Sequence, residues 1–186
     1  HIYVAYVLGL PESDQLMETL LNSNDLELLK CLVDRMRTPD LELSDQLLIT
    51  LWSKVLDIAA KIDDRAFRQS VAETVDLLDQ MRTVNEEVFN LFERAVSFFD
   101  FGAPTYRLMR AIEAKANQGL AEEAGKLLLL LLEKAYANIY LDTEMINQTL
   151  LKLYRAGEKE LADHIALAAV NRKDFEAVSI YNQFRN

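Results

Sequence analysis

Few residues of this 186-residue chain are of types that carry chemistry: two histidines, one cysteine and a set of carboxylates. His1, His164 and Cys31 cannot build a His/Cys zinc site of the usual kind. His164 also lacks the second histidine that a helical metal motif places four residues away. No Gly-rich phosphate loop, Gly-x-Ser-x-Gly elbow or Asp-rich calcium loop occurs in the sequence. Asp63-Asp64, Glu86-Glu87 and Glu122-Glu123 are adjacent acids at expected helix starts. There the helix dipole stabilises each by roughly 0.3–1 kcal/mol, which explains them without catalysis. The expectation is a protein without catalytic residues, cofactor, metal or small-molecule substrate.

Binding is the remaining use for polar residues. Arg107 and Arg110, with Lys152 and Arg155 at near-equivalent places further on, would set cations on the same face of successive helices. Such a face could grip acidic peptide or phosphate; the plainer alternative is a solvated face forming weak surface pairs. Phe98-Phe99-Asp100-Phe101 reads as core or inter-repeat packing, with an exposed aromatic anchor as the alternative. Asn147-Gln148-Thr149 fits the glycosylation pattern but falls inside an expected helix, which favours coincidence. Cys31 cannot form an internal disulfide, which fits a reducing intracellular compartment, and it is expected to be a small buried core residue.

Charge is unevenly placed. Residues 1–102 hold nine Lys/Arg against nineteen Asp/Glu, whereas residues 103–186 hold eleven of each. The acidic part repels phosphate and argues for protein partners. The longest apolar block, the six leucines Leu127 to Leu132, is far short of the roughly 20 residues that cross a bilayer. No membrane span is expected. The chain opens at His1 without Met, and Ile2 to Leu10 lacks the basic start and cleavage pattern of a signal peptide, so it reads as a segment of a longer protein.

Positioning falls to helices. Only five Gly and three Pro leave too few turn formers for an all-β protein, and good helix formers dominate. From Ser13 onward about nine helices are expected. Ser13, Asn24 and Ser44 each cap one, Asp63-Asp64 separates two more, and Thr83 with Glu86, or Asn85 directly, caps the next. The expected apolar faces are Leu26, Leu29, Val33 and Met36; then Leu47, Leu51, Val55, Ile58 and Ile62; then Phe67, Val71, Val75 and Leu78 on a helix running to about Arg82. Val88, Leu91, Phe92, Ala95 and Phe99 form a further face, which Gly102 closes. Ala103-Pro104 starts a helix that Gly119 ends, and Leu120 to Asn138 folds back against it, burying Leu120, Ala124, Leu127, Leu131 and Ala135. Helices at Thr143 to Ala156, Gly157 to Asn171 and Asp174 to about Gln183 complete the order.

Thr105, Gly119 and Ala124 recur thirty-eight residues later as Thr143, Gly157 and Ala162, a repeat of helix start, turn and second helix. A weaker echo relates residues 32–38 to 77–83 at forty-five residues. The expected architecture is all-α: an α-solenoid of antiparallel helix hairpins over 1–186, with acidic irregular pairs in 1–102 and two clearer repeats in 103–186.

Pro104-Thr105-Tyr106-Arg107-Leu108-Met109, followed by Ala116-Asn117-Gln118-Gly119-Leu120-Ala121-Glu122-Glu123-Ala124, resembles a pentatricopeptide unit, and 143–171 is similar. The tetratricopeptide class is the second resemblance. Membership of the first family implies binding of single-stranded RNA in an organelle, one base per unit, read chiefly by a small polar residue of the first helix. By match that position is Arg107 and Met145 here. Two readings follow. One is a non-catalytic scaffold that binds a protein partner through a groove or exposed helix face. The alternative is an RNA-binding pentatricopeptide segment of a mitochondrial gene-expression factor. Tyr106, Arg107, Arg110, Met145, Lys152 and Arg155 are the candidate partner-binding residues in either case.

Overall fold

The computed structural model describes residues 1–23, 25–38, 43–98, 105–134 and 141–185, with the side chains of 105–108 excepted. Every regular element among them is helical, and the chain divides into two compact units, His1–Phe98 and Phe99–Asn186. The described residues hold twelve α-helical segments and two 3-10 turns, more than the nine or so helices expected. A short helix forms at Ile2–Val7, and the stretch from 64 to 82 is divided.

The first unit contains α1 (Ile2–Val7), α2 (Ser13–Leu21), α3 (Leu26–Met36), α4 (Asp45–Lys61), α5 (Arg65–Ala72), a 3-10 turn at Glu73–Asp76, α6 (Leu77–Gln80) and α7 (Glu86–Val96). Four of its helix starts carry side-chain caps. Asp25 accepts from the N–H of Glu27 and Leu28, Ser44 from Leu47, Asp64 from Phe67 and Asn85 from Val88. Each bond satisfies a backbone donor that the helix itself leaves unpaired. Asn24, the expected cap of α3, lies outside the described residues, and Asp25 takes that role. Ser13 is not a cap either: it is the buried first residue of α2, and its hydroxyl donates to the Leu10 carbonyl at 2.6 Å, closing a tight turn behind a left-handed Glu12.

Trp52 organises this unit. The expected face of α4 is shifted: Leu48, Leu51, Trp52, Val55, Leu56 and Ala59 are buried, while Leu47, Ile58 and Ile62 sit at the margin. α4 packs on α2, α5 and α7 together, so its covered arc is wider than one stripe. The Trp52 indole N–H, fully buried, donates to the Thr74 hydroxyl at 2.7 Å, and that hydroxyl donates to the Val71 carbonyl. A buried donor must find an acceptor. Thr74 supplies it from the 3-10 turn that interrupts the helix expected to run to Arg82, while Phe67, Val71, Val75 and Leu78 are all buried as their spacing requires. Cys31 is exposed, against expectation. It lies two residues from Leu29 and from Val33 on α3, hence about 200° around the helix from each, and those two are buried.

Polar links close the unit's edges. The Asp45 carboxylate accepts from the backbone N–H of Arg82 and Thr83 and from the Thr83 hydroxyl, at 2.7–3.1 Å, tying the start of α4 to the connection before α7. Burial pushes this carboxyl upward in pKa, but the Thr83 hydroxyl, the two N–H donors and the nearby Arg82 charge outweigh it and hold the group below the ordinary Asp value. Arg37 reaches from the end of α3 to Asp76 at 2.8 Å, and Arg94 of α7 pairs with Asp57 of α4.

The second unit contains α8 (Thr105–Asn117), α9 (Ala121–Lys134), α10 (Thr143–Ala156), α11 (Lys159–Asn171), a 3-10 turn at Glu176–Val178 and α12 (Ser179–Arg185). α8 and α9 form one hairpin and α10 and α11 the next. Both turns use glycine at positive φ, Gly119 at +88° and Gly157 at +93°. In both, the following N–H (Leu120, Glu158) reaches back six residues inclusive, to the Lys115 and Leu153 carbonyls at 3.1 and 2.9 Å. That pattern is the glycine-dependent helix stop. α9 packs on both α10 and α11, α8 on α10, and α12 on α10. Gly125 permits the approach: a Cβ there would lie 2.8 Å from Leu153 and 2.9 Å from Leu161. Ala124, Leu127 and Leu131 are buried, Leu120 is half-buried, and Ala135 lies outside the described residues.

Two outcomes are expected. Thr74→Val leaves the Trp52 N–H buried without an acceptor, so urea unfolding followed by fluorescence of this single tryptophan should show a loss of about 1–3 kcal/mol. Asp45 has a native pKa below its unfolded one, so its contribution is complete above the ordinary Asp value near 4 and is lost as pH falls through the lowered native value. Asp45→Asn should therefore unfold at lower urea than wild type at neutral pH, and the gap should close in acid below about pH 4.

Candidate functional site

The residues proposed for binding are divided among three environments. The side chains of Tyr106 and Arg107 lie outside the described residues, as do Phe99 to Phe101; Phe98 is half-buried. Arg110 is exposed on α8. Met145 is a core residue, 6% exposed, and its sulfur accepts from the Thr149 hydroxyl at 3.2 Å, so it belongs to the packing of α10 rather than to a surface.

Lys152 and Arg155 have different partners. Lys152 is half-buried and donates to the Asn117 side chain at the end of α8, joining the first helices of the two hairpins. Arg155 is exposed and lies over the ring of Phe184 on α12, 5.8 Å from its centroid. Three residues separate the two on a helix, so they stand only about 60° apart around its axis. Those partners belong to α8 and α12, each of which packs on α10.

Around Arg155 the fold assembles a cluster from α10, α11 and α12. The Tyr154 ring meets Phe184 edge-on at 5.6 Å and Tyr181 edge-on at 6.2 Å, both favourable quadrupole geometries. Lys159 stands 5.0 Å from the Tyr154 ring centroid. The buried Tyr181 donates its hydroxyl to Asp163 at 2.8 Å, and Arg185 pairs with the other side of the exchange, reaching the same Asp163 oxygen at 3.1 Å. Burial, then the hydrogen bond to Asp163 and that carboxylate's charge, push the Tyr181 phenol up to about 12, so it stays a donor.

Asn147 holds this cluster's last helix in place. It is buried; its amide donates to the Thr143 and Glu176 carbonyls, and its oxygen accepts from the Tyr181 N–H at 3.4 Å. The glycosylation pattern is thus used as a buried staple between α10 and α12. Sequence reading missed this cluster because Tyr154, Lys159, Tyr181 and Phe184 share no short spacing. The signal that could have found half of it is local: Ile180 and Phe184 are four apart on one helical face, with Tyr181 next to the first.

An open groove of about 600 Å³ also runs between α9 and α11, lined by Leu132, Glu133, His164, Leu167 and Arg172 among others. Its wall is fastened by Arg172, whose guanidinium donates to the Leu132 carbonyl at 3.2 Å. Among the described residues no group of three His, Cys, Asp or Glu could hold a metal ion, and no helix is long and apolar enough to cross a membrane. Comparison with protein-family models, with curated proteins and with solved structures finds no match.

Asn147→Ala should leave the Glu176 carbonyl and the Tyr181 N–H short of partners and cost about 1–3 kcal/mol in stability. Hydrogen exchange of the amides at 176–181 should accelerate in this variant more than that of α9.

Proposed function

We propose that the chain is a non-catalytic helical-repeat scaffold, an α-solenoid of antiparallel hairpins that binds a protein partner through an exposed helix face. One observation carries the reading: large apolar side chains stand in solvent on helices whose opposite faces are fully packed. Leu167, Phe175, Ile180 and Phe184 of the second unit are exposed, while Ile165, Ala169, Val178 and Tyr181 beside them are buried. Exposed apolar residues that share a helix face, as Ile180 and Phe184 do, mark contact surfaces on proteins.

The stacked α8–α9 and α10–α11 hairpins, with glycine at the same place in each turn, support the repeat part of the proposal. Two of the positions that the RNA-binding reading would use are taken up by the fold. Lys152 is bonded to Asn117, and Met145, at a position where a pentatricopeptide unit would carry its base reader, is buried.

Single-stranded RNA separates this reading from its rival. A labelled 20-nucleotide RNA titrated with the chain at about 50 and 200 mM salt should show no saturable rise in anisotropy at either. Tight binding at the lower salt that falls by about a thousandfold at the higher would overturn the protein scaffold in favour of RNA binding.

A further inference from the structure

α12 turns one side inward and leaves the other partly exposed. Tyr181 is fully buried, whereas Ile180 and Phe184, four residues apart, are 44% and 50% exposed; Phe175, just before the 3-10 turn, is 63% exposed. Arg155 lies over the Phe184 ring and Lys159 over the Tyr154 ring, which itself touches Phe184. Neither cation has a carboxylate partner among the described residues. Asp163, the acid that serves this cluster, is already occupied by the Tyr181 hydroxyl and by Arg185. The result is an apolar ridge edged by two cations whose charge is not balanced by an ion pair.

We propose that this ridge, Ile180 and Phe184 flanked by Arg155 and Lys159, docks an acidic amphipathic helix of a partner protein, an inference that rests on the scaffold reading. An amphipathic helix presents apolar anchors at spacings of three and four, which match the one-turn separation of Ile180 and Phe184. Carboxylates flanking those anchors meet Arg155 and Lys159, and the charge match sets orientation and speeds encounter. Two other occupants fit less well. A base stacking on Phe184 or Tyr154 would compete for ring faces on which cations already sit, and Ile180 offers it no π-surface. A second copy joined through the same ridge would bring to Arg155 and Lys159 no carboxylate of the ridge itself, since Asp163 is already occupied.

The test uses the whole chain and a fluorescein-labelled synthetic 16-residue helical peptide with leucines at i, i+3, i+4 and i+7 and glutamates flanking them. A second peptide carries lysine in place of each glutamate. The glutamate peptide should bind and the lysine peptide should not; Phe184→Asp and Arg155→Glu should each weaken binding by about tenfold or more, as loss of an interface anchor does. Both changes are at exposed side chains, and an unchanged circular dichroism melt shows that each variant is folded. Leu28→Asp, at an exposed leucine of the first unit, should leave the affinity as it was.

The proposal is overturned if neither peptide binds or if the lysine peptide binds equally well. It is also overturned if a 16-nucleotide single-stranded RNA binds and loses affinity in Phe184→Asp, which makes the ridge a nucleic-acid surface, or if sedimentation shows a dimer that Phe184→Asp dissolves, which assigns it to a second copy. Glutamate-peptide binding that survives both ridge variants places the peptide elsewhere on the chain. That outcome removes the docking ridge while leaving the scaffold reading intact, because the latter is decided by the RNA titration.

Discussion

None of these helices can hold itself together in water. The described ones run from four to seventeen residues, and isolated helices of that length are marginal at best. Each persists because its apolar face is covered by a neighbour, so the cover supplied by one helix to the next is the constraint on which everything else in the chain depends. α9 shows it most directly. It lies against α8, α10 and α11 at once, buries Leu127, Leu128, Leu131 and Leu132, and comes so close at Gly125 that a methyl group there would force the ends of Leu153 and Leu161 to shift. A buried leucine is worth about 1.5–3 kcal/mol relative to an exposed one, which is far more than any surface ion pair here contributes.

Apolar cover alone leaves register loosely specified, and two buried polar links sharpen it. In the first unit the Trp52–Thr74 bond sets α4 against the 3-10 turn; in the second, Asn147 sets α10 against α12. Each acts through the cost of leaving a buried donor or acceptor unpaired, which penalises every alternative alignment of the same helices. On α12, Ile180 and Phe184 remain exposed while Tyr181 between them is buried.

Several features follow from residues within one or two helical turns of each other and were legible for that reason. Ser44, Asp64 and Asn85 cap helices, and Gly119 and Gly157 end them, because a cap or a left-handed stop is decided by bonds across three to five residues. The faces containing Phe67, Val71, Val75 and Leu78, or Val88, Leu91, Phe92 and Ala95, follow from periodicity in the same way. The exposure of Cys31 follows in the same way from its offset to Leu29 and Val33, which overrides the general tendency of cysteine to be buried.

By itself, then, the order of residues determined the helical class, most helix ends and the hairpin turns of the second unit, since these are settled by short-range bonding and steric limits on the backbone. Tertiary structure alone decided that Trp52 faces inward and bonds to a 3-10 turn twenty-two residues away, that Asn147 is a staple rather than a surface group, and that Arg155 stands over Phe184 while Lys152 bonds to Asn117. These outcomes depend on which distant helix arrives beside a given side chain. That arrival is governed by the summed burial of many weak apolar contacts, whose partners no local spacing identifies.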